Sequence, residues 1–208
     1  MDGREPRHFS MIRSFHLADG FTLLNGALGA GATLAFMRFT MDRTAAFFWL
    51  GAALLPVALV MDALDGRIAR RRGMASPLGQ ELDSLADVVS FGVAPAAMAF
   101  AAGLRGAVDA LFLIYFVGCG ISRLARYNVT ASAAAAASSR VRYFEGFPIP
   151  TSLVLAALLA VLAGLGRWQE NLPLGVVSVA GVRWHPLSLL FGLHGSAMIS
   201  KTLRIPKP

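Results

Sequence analysis

A membrane-embedded bundle of six α-helices is the fold class this sequence predicts, and three observations predict it. Of the 208 residues, 56% are hydrophobic and only 15% are charged, with a mean hydropathy of +0.60, far more apolar than a soluble domain. Several apolar stretches approach the roughly 20 residues that a helix needs to cross about 30 Å of hydrocarbon. Alanine and leucine persist over long runs without the alternation of a membrane barrel strand, which selects helices over strands.

The expected spans cover residues 17–37, 45–63, 84–103, 108–121 and 149–165, with a last one ending near Ser200. In the sixth, Arg183, Trp184, His185 and Pro186 interrupt the apolar run. Either a short outer segment precedes a helix from about Pro186, or one long helix is broken there. Ahead of the first span, Phe9, Ile12 and Phe15 recur at helical spacing among Arg7, His8, Arg13 and His16, a pattern suited to a short interfacial helix. The chain thus reads as a juxtamembrane segment, residues 1–16, and one domain, residues 17–208. No cleavable signal peptide is evident. The Ala/Ser tract from Thr130 to Ser139 has too little bulk to anchor packing and reads as a flexible or loosely helical connector. Gly26, Gly29 and Gly31 permit close helix packing. The single Cys119 sits in an apolar span and has no partner for a disulfide within the chain.

With six spans, one side of the membrane carries 14 of the 19 Lys and Arg residues, leaving Arg38, Arg43, Arg105, Arg167 and Arg183 for the other. The positive-inside rule makes the richer side, with both termini, cytoplasmic. That basic face attracts anionic headgroups, and no folded module suggests nucleic acid.

Residues 62–87 read DALDGRIARRRGMASPLGQELDSLAD. Ionised groups beside lipid are costly and are functional candidates. Asp62 and Asp65 lie three residues apart, Asp83 and Asp87 four apart, so each pair projects from one face of its helix. A short connection with Gly73, Ser76 and Pro77 makes the two helices a hairpin that turns the pairs toward each other. Four facing carboxylates repel unless protons or cations compensate. Oxygen-only ligands favour hard divalent ions over zinc, and two such ions bridged by carboxylates form a clamp for displacement at phosphorus. Gly66, Ala69 and Gly79 leave space beside the carboxylates, and Arg70 offers a planar guanidinium for a phosphate.

This stretch fits D-x-x-D-G-x-x-A-R-x8-G-x-x-x-D-x-x-x-D at every defined position and resembles the CDP-alcohol phosphatidyltransferases. The resemblance implies a six-helix, homodimeric membrane enzyme that moves a phosphatidyl group from a CDP-linked lipid to an alcohol and releases CMP. It implies that Asp62, Asp65, Asp83 and Asp87 hold two Mg²⁺ or Mn²⁺ ions, with Asp87 also the general base, and that Gly66, Ala69, Arg70 and Gly79 accommodate the cytidine diphosphate. FTLLNG at 21–26, SRLARYNV at 122–129, YFEGFPIP at 143–150 and the closing SAMISKTLRIPKP resemble the phosphatidylserine synthases of that superfamily, which implies CDP-diacylglycerol and L-serine as substrates. The Ala/Ser tract and residues 169–186 depart from the pattern.

Beyond the aspartates, alternatives stay open. Arg123 and Arg126 offer donors to the carboxylate of serine or a lipid phosphate, or anchor the helix by the positive-inside rule. Glu145 meets the serine ammonium or pairs with Arg140 or Arg142. Asn25 points toward the nucleotide or a metal-bound water, as the resemblance suggests, or bonds a neighbouring helix. Tyr127 and Tyr143 suit the interfacial aromatic belt. The acceptor can also be glycerol phosphate or an inositol phosphate, and a divalent-cation transporter is the rival from another class, which the glycines and arginine of the motif do not support.

Overall fold

The computed structural model describes residues 17–72, 77–136, 143–179, 181–200, 202 and 204–206. The interfacial helix expected within residues 1–16, and the part of the Ala/Ser tract beyond Ala136, lie outside them. Seven α-helices run in order among the described residues: α1 Leu17–Asp42, α2 Ala45–Arg72, α3 Pro77–Asp87, α4 Ala94–Ala102, α5 Ala107–Ala136, α6 Leu153–Gly164 and α7 Leu189–Ile199. Helices α3 and α4 are joined without a break by a π-helical turn, Val88–Val93.

Among the described residues, four helical stretches are long and apolar enough to cross a membrane: Asp19–Asp42, Ala45–Ile68, Leu78–Ala102 and Ala107–Thr130. Two shorter apolar stretches, Ile149–Gly164 and Pro186–Ile199, complete the bundle. Leu34, Leu111, Val154 and Leu193 are each at least 65% exposed, a lipid-facing girdle that water would not tolerate. The core is made of close-packed rings and small residues, with Phe36, Phe48, Phe91, Phe116, Phe191 and Met98 all but fully buried. Cys119 is buried within it, and Phe36 and Phe39 meet Phe48 edge-on.

Several helices outrun their apolar windows. The second span was expected to end at 63 and continues to Arg72, because Arg and Ala are strong helix formers whatever their hydropathy. Its 28 residues measure roughly 42 Å at about 1.5 Å per residue, so its last turn extends past the apolar window that ends at Ile68, and Asp62 and Asp65 lie toward that end of the window. The third helix starts at Pro77 rather than 84, with proline in the first turn, where a missing N–H costs nothing. The fourth runs to Ala136, well past the expected 121 and into the alanine tract, since nothing from Ile121 onward breaks a helix.

The interruption ahead of the last helix is an outer segment. Strands β2 Val177–Val179 and β3 Val182–Trp184 pair antiparallel, and a 3₁₀ turn, Pro186–Ser188, leads into α7. This segment docks on the α4–α5 turn through a buried knot. Asp109 accepts hydrogen bonds from the backbone N–H of His185 at 2.8 Å and of Gly106 at 3.0 Å, and its other contact is His185 Nδ1 at 2.8 Å. At the opposite end, β1 Tyr143–Glu145 pairs antiparallel with β4 Arg204–Pro206, and the Phe147 N–H donates to the Ala197 carbonyl. The two ends of the bundle are therefore distinct, and Arg43, Arg105, Arg167 and Arg183 belong to connections at the end that carries the β2–β3 hairpin.

Candidate active site

The aspartate pairs sit at the other end, where α2 finishes and α3 begins. Asp62, Asp83 and Asp87 each offer a carboxylate oxygen, and these oxygens all lie within 4.8 Å of one another. Asp62 reaches this point from α2, while Asp83 and Asp87 come from successive turns of α3. Asp65 stands apart from that trio. It is 5% exposed, and its Oδ2 accepts a 2.7 Å hydrogen bond from the Thr22 hydroxyl of α1, yet its charge still acts on Asp62, Asp83 and Asp87. The hairpin expected from the spacing is present, with α1 as the third wall.

Asn25 is fully buried on α1, and its Nδ2 donates to Asp87 Oδ1 at 3.3 Å. The bond to a neighbouring helix and the position beside the acidic centre are thus the same contact. The side-chain amide oxygen Oδ1 of Asn25 and Oδ1 of Asp83 are both buried without a hydrogen-bond partner among the described residues. Unpaired buried acceptors cost free energy, and a bound cation would satisfy them. The donor set is all oxygen and anionic, which fits a hard divalent ion. The acidic cluster is consistent with a divalent-cation site.

The close approach of α1 depends on glycine. A side chain at Gly29 would overlap Ser90, and Gly26 lies against Ala86, so α1 packs directly on the helix that carries Asp83 and Asp87. Ser90 in turn donates its hydroxyl to the Asn25 carbonyl at 2.8 Å. The turn after Asp87 is π-helical, and the Ala94 N–H donates five residues back, to Val89. Pro95 then has no N–H for the Phe91 carbonyl, and the Ser152 hydroxyl supplies that bond from outside at 2.6 Å. π-turns are rare and recur at functional sites.

Gly66 and Gly79 flank the carboxylates on α2 and α3 as the spacing requires. The side chains of Ala69, Arg70, Tyr143 and Glu145 lie outside the described ones. In β1 the backbone of Glu145 pairs with Arg204. Arg123 is 7% exposed, and its guanidinium lies 5.6 Å from the Tyr127 ring centre. Arg126 is placed otherwise: both terminal nitrogens donate to the Ile199 carbonyl at 3.2 Å, closing the end of α7.

Three polar groups beside the site had no place in the sequence reading. Asn128 Nδ2 donates to Ser84 Oγ at 3.0 Å, and Gln80 Nε2 donates to Asn128 Oδ1 at 3.4 Å. The signal for them was a helical stripe: Gln80, Ser84 and Asp87 fall at i, i+4 and i+7. Thr22, three residues before Asn25, was legible by the same rule.

Fold and site together define a membrane protein with a cluster of acidic side chains suited to a divalent cation at one end of its helix bundle. Residues 15–189 match the family model for CDP-alcohol phosphatidyltransferase, and the chain belongs to that family of phosphatidyl-transferring enzymes. It is 44% identical over 207 residues to the CDP-diacylglycerol–serine O-phosphatidyltransferase of Saccharomyces cerevisiae, an alignment covering 98% of this chain and 75% of the yeast protein. Proteins of the same description from Helicobacter pylori and Mycobacterium leprae are each 36% identical, over 66% and 80% of this chain. The chain spans 61% and 54% of the length of those two.

Proposed function

We propose that the chain transfers the phosphatidyl group of CDP-diacylglycerol to the hydroxyl of L-serine and releases CMP. The observation that carries the transfer chemistry is the convergence of Asp62, Asp83 and Asp87 from two helices. The serine acceptor rests on the relatives, whose descriptions name serine.

In this reading a bond forms between the serine hydroxyl oxygen and the lipid-side phosphorus, the anhydride bond to CMP breaks, and the hydroxyl proton passes to Asp87. Asp62, Asp65, Asp83 and Asp87 would hold two Mg²⁺ or Mn²⁺ ions, which neutralise charge on the diphosphate and on the leaving CMP when bound. Asn25 fixes the orientation of the Asp87 carboxylate, and Thr22 fixes that of Asp65. Gly66, Ala69, Arg70 and Gly79 border the cytidine diphosphate. Arg123 holds the serine carboxylate, and Glu145 meets its ammonium group. Arg126, on α5, acts through its bonds to the Ile199 carbonyl at the end of α7 by shaping the acceptor side. The interfacial position suits the reactants, because acyl chains require hydrocarbon and the nucleotide and serine require water.

The same reading has six membrane crossings, with both termini and the site on the cytosolic side and residues 1–16 as a juxtamembrane segment. Support comes from the two shorter apolar helices and from the grouping of Arg43, Arg105, Arg167 and Arg183 at the far end. A homodimer is part of the same reading, on the resemblance to the family, and light scattering of the detergent-solubilised protein tests it.

The test supplies labelled CDP-diacylglycerol with L-serine, glycerol phosphate or an inositol phosphate, with and without Mg²⁺ or Mn²⁺, and identifies the lipid product. Phosphatidylserine is expected, with serine and a divalent cation both required. A product formed only with another alcohol overturns the serine assignment. Asp87→Asn is expected to lower turnover at least a hundredfold, in line with general-base removal costing about 10²–10⁴, while CDP binding persists.

A further inference from the structure

Asn128 does not belong to the acidic motif, yet it is the polar pin between the helix that carries Asp83 and Asp87 and the helix that carries Arg123. It is 9% exposed in a helix–helix contact, where both ends of its amide are used. Nδ2 donates to Ser84 Oγ at 3.0 Å, and Oδ1 accepts from Gln80 Nε2 at 3.4 Å. Ser84 Oγ also contacts Asn128 Oδ1 at 3.3 Å and the Gln80 carbonyl at 3.1 Å. An amide held at both ends admits one axial and one rotational setting of its helix, whereas the apolar packing nearby tolerates sliding.

That setting matters because of what lies one turn further along. The four-residue connection from α4 to α5 makes the two helices antiparallel neighbours. Going from Ser84 toward Asp87 on one helix therefore corresponds to going from Asn128 toward Arg123 on the other. Three residues on the first and five on the second are displacements of roughly 4.5 and 7.5 Å at about 1.5 Å per residue. Arg123 is buried at this level, over the ring of Tyr127, and cannot snorkel to a new position if its helix shifts.

We infer that Asn128 is a positioning residue for the acceptor alcohol: its clasp on Ser84 and Gln80 sets the register of the helix that carries Arg123, five residues along it toward the level of Asp87. The inference deepens the reading above, since it assumes that the acceptor hydroxyl is activated at Asp87 and that its anionic group is held by Arg123. The helices that border the nucleotide are tied to one another by bonds of their own, Thr22 to Asp65 and Asn25 to Asp87, so nucleotide binding is expected to survive loss of the clasp between α3 and α5. The consequence is a split between substrates.

The experiment uses the full-length protein in detergent or lipid nanodiscs, with KM and kcat measured separately for the acceptor and for CDP-diacylglycerol. Asn128→Ala and Ser84→Ala are each expected to raise the acceptor KM by roughly tenfold, the factor that matches the loss of about one hydrogen bond's worth of alignment. The KM for CDP-diacylglycerol and the metal titration of CDP binding are expected to stay within about twofold. The double variant is expected to cost no more than either single one, because the two residues form one contact. Asn128→Asp, which keeps the acceptor for Gln80 but loses the donor to Ser84, is expected to retain only part of the function. Equal increases in both KM values, or a fall in kcat alone with KM unchanged, overturn the inference, as does a fully additive double variant. Should Asn128→Ala fail to fold, Ser84→Ala and Gln80→Ala carry the same test from the other helix. If the acceptor proves to be another alcohol, the split is read against that alcohol, so serine specificity and the positioning role fail separately.

Discussion

Thr22 aims one carboxylate of the site from a helix that carries none of the motif. Its hydroxyl donates to Asp65 Oδ2 at 2.7 Å in a fully buried contact, and hydrogen bonds to charged groups are worth about 1.5–3 kcal/mol. Thr22→Val keeps the shape and removes the donor. The concentration of Mn²⁺ or Mg²⁺ that half-saturates CDP binding is expected to rise by roughly tenfold or more; an unchanged metal titration would remove Asp65 from the cation centre. The four aspartates themselves were legible because helical spacing is arithmetic, and three of them converge as that arithmetic requires. Arg126 was not legible in the same way. Its partner is the backbone carbonyl of Ile199, and no side-chain pattern encodes a carbonyl at the end of a distant helix. Asn25 shows the intermediate case: both of its readings described one bond, to Asp87.

At the scale of elements, the chain continuing from α3 into α4 repairs a defect it creates. Pro95 leaves the Phe91 carbonyl without its helical donor, and Ser152, from the 3₁₀ turn that opens α6, fills the gap. Ser152→Ala strands a buried acceptor and is expected to cost about 1–3 kcal/mol, read as a lower unfolding temperature in detergent. In a Pro95→Ala background the penalty is expected to shrink, since a backbone N–H becomes available to the same carbonyl. Equal penalties in both backgrounds would show that Ser152 stabilises by packing alone. Hydropathy located these elements but not their ends. Helices α2, α3 and α5 extend beyond their apolar windows because Arg, Gln and Ala favour helix as well as leucine does. The π-turn carries no sequence signal apart from Pro95.

For the whole molecule, the two ends of the bundle make opposite predictions for accessibility. In a Cys119→Ser background, single cysteines at exposed Thr202 and Glu81 are expected to react with an impermeant maleimide from one side of sealed vesicles, and one at exposed Leu174 from the other. Labelling of all three from one side would exclude the odd number of crossings that this arrangement places between each of them and Leu174's connection. The helical bundle was legible in composition, and the gathering of Arg43, Arg105, Arg167 and Arg183 at one end was legible in the distribution of arginines. The outer knot of Asp109 and His185 was not, because 76 residues separate its partners and each alone reads as an isolated polar residue near a helix end. The π-turn has a final bearing on the molecule as a unit. One surplus residue in a helix advances the phase of everything downstream by about 100°. The half that bears Asp83 and Asp87 and the half that meets lipid and α6 are thereby indexed independently, like two dials on one shaft. Excising a single residue from 88–93 would keep the helix continuous and yet swing either the carboxylates or the lipid-facing stripe out of alignment, so length in this segment is as constrained as chemistry.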